Sequence, residues 1–450
     1  MKEFNFEKLP IVEIANEIII DAVNKGASDI HFDPSKDSLK IRFRIDGILS
    51  DYSIVPSKYK RNMISRIKMI AGMNIMETRL PQDGAIKSKI GDRLLDLRVS
   101  TLPTNNAEKI VIRILDYSMS LAGLDNLGFS KDAMEKINKL IRIPNGIILV
   151  TGATGTGKST TLYSILQKLN TEEVNIITVE DPVEMDIAGI NQVQTQTEIG
   201  LTFATILRSI LRQDPNIIMI GEIRDDETAR IAVRASITGH LVLSTLHTNN
   251  SLNTIERLTD MDVERYLLGS SLEGIISQRL ARKLCPNCMI KRQTTEYEKQ
   301  VFKTVIGKDI NEMYVANKEG CPRCNHGYRG RLAILEVLVM NEKIKDAITN
   351  NAPKHVLRDL VYTGEVVTLL QDGLNKVVEG ETSFEEILKI VDLENDMTAY
   401  KDDNLVANLK MAQKAHSIKE TPQQQPTPQV TQQVQQINNQ IQSNVETVEF

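Results

Sequence analysis

Between residues 38 and 47 apolar and charged side chains alternate: Leu39, Ile41, Phe43 and Ile45 are separated by Lys40, Arg42, Arg44 and Asp46. A period of two belongs to a strand with one buried face, and Asp46-Gly47 is a strong hairpin turn. The device repeats in "IGDRLLDLRVS", where Gly91-Asp92 turns the chain and Leu95, Leu97 and Val99 share a face. "KIVIRIL" supplies a third strand. Residues 1–115 therefore read as an antiparallel sheet with helices, and the looser "DYSMSLAGLDNLGF", residues 116–129, as a linker.

Beyond the linker the pattern changes. "GIILV", "VNIITV", "NIIMI" and "HLVLST" are short, almost continuous apolar runs separated by helix-length segments. Strands buried on both faces suit an α/β fold, a parallel sheet with helices on each side. Polar residues follow each run: Gly152 onward, Glu180-Asp181, Gly221-Glu222, and Thr245 to His247. In such sheets ligands bind at the carboxyl ends of the strands, so these groups are expected on one rim. After about residue 280 come two cysteine pairs and a helical segment ending near "GETSFEEILKIV". From residue 395 the chain is punctuated by proline and then rich in glutamine, a composition that builds no core and is expected to be mostly disordered. Within it Val430, Val434, Ile437, Ile441, Val445 and Val448 approximate one apolar helical stripe.

Composition narrows the classes. A chain of 450 residues suffices for two or three domains, and 41% hydrophobic with 25% charged residues is ordinary for a soluble globular protein. No apolar run approaches the roughly 18 to 20 residues that cross a bilayer, and "MKEFNFEKLP" has none of the regions of a signal peptide. A cytoplasmic location is the expectation. A net charge of -5, no tryptophan and 4% aromatic residues argue against a nucleic-acid-binding groove. All four cysteines lie in two Cys-x-x-Cys pairs, which in a reducing compartment suggests metal rather than disulfide.

The richest chemistry lies in "TGATGTGKSTTL". Gly152-x-x-x-x-Gly157-Lys158-Ser159 fits the phosphate-loop pattern, which holds a nucleoside triphosphate such as ATP. Glycines let backbone N–H groups face phosphate oxygens, and the helix that follows favours negative charge at its start. Gly152, Thr154, Gly155, Thr156, Gly157, Lys158, Ser159 and Thr160 form the expected cradle, with Lys158 on the β and γ phosphates and Ser159 on magnesium. Glu222, at the end of "NIIMIGE", is placed to orient and deprotonate water, while Glu180 and Asp181 would serve the metal shell or that water. His247 is placed to sense the γ phosphate; His240 begins the same strand, farther from the rim. Spacing alone leaves both histidines open to a structural role. Cys285, Cys288, Cys321 and Cys324 can give four thiolates to one structural zinc, although the gap between the pairs is longer than usual. Arg98 and Arg113 lie opposite the aliphatic rows of their strands, where simple solvation is the plain expectation.

Residues 25–392 resemble the secretion ATPase superfamily, specifically the type IV pilus assembly and type II secretion motors. "ASDIHFDP", "RFRIDGIL", "RLPQDG" and "DLRVSTLPT" resemble that family's second N-terminal domain. "GATGTGKSTTL", "ITVEDPVE", "LRQDPNIIMIGEIRD" and "TGHLVLSTLHTN" are similar to its Walker A, aspartate, Walker B and histidine boxes, and "CPNC", "CPRC" and "GYRGR" to its zinc segment. The resemblance implies a PAS-like N-terminal domain and a RecA-like ATPase domain over residues 130–394, with a zinc subdomain at about 285–324. It implies a homohexamer at the inner face of the membrane, which would turn or push a platform protein and so drive pilins into a filament. Glu222 would be the catalytic glutamate, His247 and His240 gain weight with their box, and Arg98 and Arg113 would reach nucleotide as subunits close. Three departures stand out. The chain starts almost at the second N-terminal domain, so the family's first is expected to be missing; Ala85 stands where arginine commonly follows "QDG"; and the glutamine-rich tail has no counterpart. The pilus retraction ATPase is the nearest alternative but typically lacks the four-cysteine segment, and a RecA-like nucleic-acid motor is a more distant one.

Overall fold

The computed structural model describes residues 1–90, 93–116, 123–362 and 365–391. The expected Gly91-Asp92 turn, residues 117–122 of the linker and the glutamine-rich tail lie outside the described residues.

The first unit runs α1 (Ile11–Asn24), β1 (Ala27–Pro34), β2 (Ser38–Ile45), β3 (Ile48–Pro56), α2 (Ser57–Ile70), β4 (Gln82–Ile90), β5 (Arg93–Thr104) and β6 (Ala107–Asp116). The strands form one sheet in the order β3-β2-β1-β6-β5-β4, with every pairing antiparallel. Alternation determines its faces: Ile30, Phe32, Leu39, Ile41, Phe43, Leu97, Val99, Ile110 and Ile112 turn inward against Ile14 and Ile18 of α1 and Met63 and Ile67 of α2. Asp46 and Gly47 both have positive φ, as a tight two-residue hairpin demands. Three strands were not among those expected. β1 hides its period because Asp29, His31 and Asp33 make "ASDIHFDP" look polar, and β4 is an edge strand with no fully buried residue.

The second sheet has the order β15-β12-β7-β11-β10-β8-β9. At its centre β7 (Gly146–Thr151), β8 (Ile176–Glu180), β10 (Ile217–Ile220) and β11 (Leu241–Leu246) are buried along their whole length. They are parallel, as their apolar runs implied. Successive residues serve opposite cores. Ile147, Leu149, Ile218 and Val242 pack with the helices Phe203–Ile210, Asp226–Ile237 and Ser251–Asp260. Ile148, Val150, Met219 and Leu243 pack with the helices Lys131–Leu140 and Lys158–Leu169. β9 (Asn191–Gln194) closes one edge. At the other, β12 (Leu272–Leu284) lies parallel to β7 and antiparallel to β15 (Tyr328–Val339). Ser277, Gln278 and Arg279 interrupt the apolar run of β12, which conceals it as a strand in the sequence.

One buried charge pair sits in the first unit. Lys68, on the inner face of α2, is wholly buried and donates to Glu108 Oε1 and to the Glu77 carbonyl, both at 2.6 Å. Removing one member of such a pair leaves the other buried and uncompensated. Lys68→Ala is therefore expected to destabilise this unit by about 3 to 5 kcal/mol. The measurement is hydrogen exchange in α2 and β6, and the double change Lys68→Met with Glu108→Leu should be clearly milder than the single one.

Candidate functional site

β7 ends at Thr151 and turns through residues 152–157 into the helix Lys158–Leu169. Gly152 has φ +145°, and a Cβ there would lie 2.5 Å from the Gln278 carbonyl. Gly157 has φ +89°, and a Cβ there would meet Gln278 Nε2 at 2.8 Å. Glycine is needed at both positions because β12 runs hard against the loop. Gln278 braces it by donating to the Thr156 carbonyl at 2.7 Å and accepting from Thr161 Oγ1 at 2.8 Å. Ala153, Thr154, Gly155 and Ser159 are exposed, while Thr160 is partly so. The free N–H groups at the start of the helix suit a phosphate. Lys158 is buried, and its Nζ donates to the carbonyls of Gly152 (2.9 Å) and Ala153 (3.0 Å). Burial pulls its ammonium below the usual value, against the attraction of Glu222.

The neighbouring strands bring the acidic groups to the same edge. Glu222, two residues beyond β10, accepts from Arg224 Nη2 at 2.6 Å and has Oε2 3.3 Å from His247 Nε2. The Arg224 guanidinium holds its carboxyl below the ordinary range, so Glu222 is ionised near neutral pH. Asp181 is more exposed and only 3.9 Å from Arg224 Nη1. Glu180 is different. It is buried, with Oε1 accepting from Thr178 (2.6 Å) and Gln192 (3.0 Å) and Oε2 accepting from the Tyr163 hydroxyl. A carboxylate so fully engaged ties the phosphate-loop helix to β8 rather than facing an attacking water. His240 is not brought to the rim either. It precedes β11 at the opposite edge, where its carbonyl accepts from Gly146 N and its Nδ1 lies 2.9 Å from the Ala235 carbonyl.

Arg98 and Arg113 face each other across β5 and β6, and Ala85 lies opposite Arg98 on β4. Arg98 Nη2 reaches out of the first sheet to Glu184 Oε2 at 2.6 Å and the Val183 carbonyl at 3.4 Å, in the segment that follows β8. The pair with Glu184 is a charge contact, because Oε2 lacks an aligned hydrogen bond. Arg113 stays within its sheet on Asp29 at 3.1 Å. Arg279, next to the loop and unforeseen in the sequence, is 8% exposed and donates to Asn249. Its signal was a cation close behind the apolar pair Ile275-Ile276.

The four cysteines converge. Between the pairs the chain makes an excursion through β13 (Ile290–Gln293), the helix Glu296–Ile306 and β14 (Glu312–Val315), and β13 and β14 pair to close it. That excursion accounts for the long gap. Cys285 and Cys321 Sγ are 3.8 Å apart, Cys288 and Cys324 Sγ 3.6 Å, and all four lie within 4.8 Å of one another. A tetrahedron with metal–sulfur bonds of about 2.3 Å has edges of about 3.8 Å, so the cluster can hold a metal ion.

Comparison with known proteins places these features in company. Residues 5–389 match the family model described as type II/IV secretion system protein. The chain is 44% identical over 382 residues to the type II secretion system ATPase E of Vibrio cholerae, covering 85% of this chain and 75% of that one. It is 45% identical over 381 residues to the type IV pilus assembly ATPase PilB of Myxococcus xanthus, covering 84% and 67%. Among solved structures, the pilus retraction motor PilT with bound ADP is similar with a TM-score of 0.56 at 26% identity, covering 88% of this chain and 98% of that one. The Legionella pneumophila ATPase DotB shares the fold, with a TM-score of 0.63 at 22% identity over 86% and 97% of the two chains.

Proposed function

The chain belongs to the type II/IV secretion system protein family and is an ATP hydrolase of it, and from that premise we propose a cytoplasmic homohexameric motor that acts on an inner-membrane platform protein to assemble pilins or pseudopilins. The observation that carries the site is Glu222, ionised and held by Arg224 and His247 on the edge where the phosphate loop opens. Lys158, released from the Gly152 and Ala153 carbonyls, binds the β and γ phosphates, and the loop from Gly152 through Thr160 holds the rest of the chain of phosphates. Ser159 would hold magnesium, with Asp181 serving its shell; the ion, when bound, would neutralise phosphate charge. Glu222 takes the proton of the attacking water, His247 stands against it, and Glu180 positions the loop helix. His240, at the other edge, has no part in this protomer's site.

Force needs a moving second body. Arg98 already spans from the first sheet to the segment after β8, and we assign it, with Arg113, to the phosphates when the site closes. The four-thiolate cluster is assigned to structural zinc, since four cysteines leave no open position for chemistry. That cluster also favours filament extension over retraction, given its typical absence from retraction motors. Among the described residues no helix is long and apolar enough to cross a membrane, and peripheral attachment through the platform protein is the proposed location.

Glu222→Gln should keep ATP binding and lower turnover by about 10² to 10⁴, whereas Lys158→Ala should weaken binding itself. Steady-state hydrolysis and nucleotide titration on purified protein separate the two, and near-normal turnover of the Glu222 variant would sink the assignment. Elemental analysis should find about one zinc per chain, with Cys288→Ser losing the metal and loosening residues 285–324 while leaving nucleotide binding intact. For the motor, affinity purification from detergent-solubilised membranes should recover a polytopic protein; its consistent absence under gentle extraction contradicts the platform partner.

A further inference from the structure

β12 outruns the strand it pairs with. Its register with β7 ends at Ser277 opposite Thr151, where β7 enters the phosphate loop, yet β12 continues to Leu284. Gln278 and Arg279 are thereby laid along the loop. Arg279 Nη1 would lie 3.4 Å from a Cβ on Gly152, and its Nη2 donates to both the carbonyl and the side-chain oxygen of Asn249, each at 3.1 Å. Asn249 is two residues beyond His247, in the connection of residues 247–250 between β11 and the helix Ser251–Asp260.

The far end of that connection is pinned from the same strand. Ser277 Oγ is 3.0 Å from Thr151 Oγ1 and 3.5 Å from Ser251 Oγ. Glu336, wholly buried and opposite Ser277 on β15, accepts from the Ser251 N–H at 2.9 Å. Among the described residues its second oxygen makes no well-aligned hydrogen bond, and Arg279 is a cation whose field it feels. One short stretch of β12 thus touches the phosphate loop on one side and both ends of the histidine connection on the other. Lys158 and Arg279 are cations close enough to repel each other across Gly152. A phosphate that draws Lys158 from the Gly152 carbonyl changes the surroundings of Arg279 directly.

Resting on the roles given above to Glu222 and His247, we propose that Arg279 is a positioning residue for hydrolysis: it couples the phosphate loop to the connection that sets His247 against Glu222. It acts through Asn249, so its loss misplaces the histidine without removing a phosphate contact. A misplacement of this kind lowers the rate of the chemical step far more than it weakens binding.

The test uses the full-length chain in five forms besides wild type: Arg279→Gln, Arg279→Lys, His247→Ala, Glu222→Gln and the double Arg279→Gln with His247→Ala. Turnover is measured with ATP, affinity with a fluorescent ATP analogue, and folding by thermal melting. Arg279→Gln should lower kcat by about ten- to a hundredfold with the nucleotide Kd within about threefold, and Arg279→Lys should recover at least about threefold of the loss. The double variant should be no more than about twofold slower than His247→Ala alone, because two residues acting through one contact are not additive. If Arg279→Gln does not fold, Arg279→Lys takes its place in the same cycle. The proposal is overturned if Kd and kcat worsen together, if the losses multiply in the double variant, or if His247→Ala leaves turnover unchanged. Activity retained in Glu222→Gln, or turnover unchanged in His247→Ala, marks failure of the site assignment, whereas either of the other two outcomes beside an inactive Glu222→Gln counts against Arg279 alone.

Discussion

The parallel alignment of β7, β8, β10 and β11 decides where every reactive group of the second sheet can lie. Strands buried on both faces leave no room for charged groups along their length, so chemistry collects where they stop. Here Ile176, Ile217, Leu241 and Gly146 lie in register. Thr151, Glu180, Ile220 and Leu246 consequently end at one edge. Lys158, Glu222 and His247 follow those ends by a few residues and become neighbours. Tyr163 and Glu180 then join the loop helix to β8 inside the protein, so the rim is braced from beneath.

The parts of this arrangement that were legible in the sequence are those expressed in local pattern. Four apolar runs, each followed by a polar residue, were enough to place the phosphate loop, Glu222 and His247 on one edge. His240 was legible too as the start of its strand, and its distance from the loop follows from that. Glu180 was legible only as a strand-end carboxylate, which looks alike whether it faces solvent or folds back. Only the positions of Tyr163, Thr178 and Gln192 decide, and they are distant in sequence. β12 was hidden for a related reason. Its polar residues Ser277, Gln278 and Arg279 are satisfied by Thr151, the phosphate loop and Asn249, so a buried strand carries the composition of a surface segment.

Arg98 illustrates the limit of periodicity. Alternation puts it on the outer face of the first sheet, where solvation is the ordinary fate of an arginine. In the folded chain it leaves that sheet and meets Glu184, whose carboxyl burial pushes upward while Arg98 pulls it back. A charge contact between partly exposed groups is weak and readily exchanged for another anion. The same two sheets also touch where the Asp46 carboxylate accepts from Gly330 N at 3.1 Å.

In the function proposed above, one edge of the second sheet binds and cleaves ATP and the first sheet closes over it. A structure determined with Mg2+ and a nonhydrolysable ATP analogue is the decisive experiment. Lys158 should have moved from the Gly152 and Ala153 carbonyls onto the phosphates, a water should lie between Glu222 and the γ phosphate, and Arg98 should have left Glu184 for phosphate oxygens. Nucleotide bound with the γ phosphate remote from Glu222, or with Lys158 still on the loop carbonyls, would contradict that function.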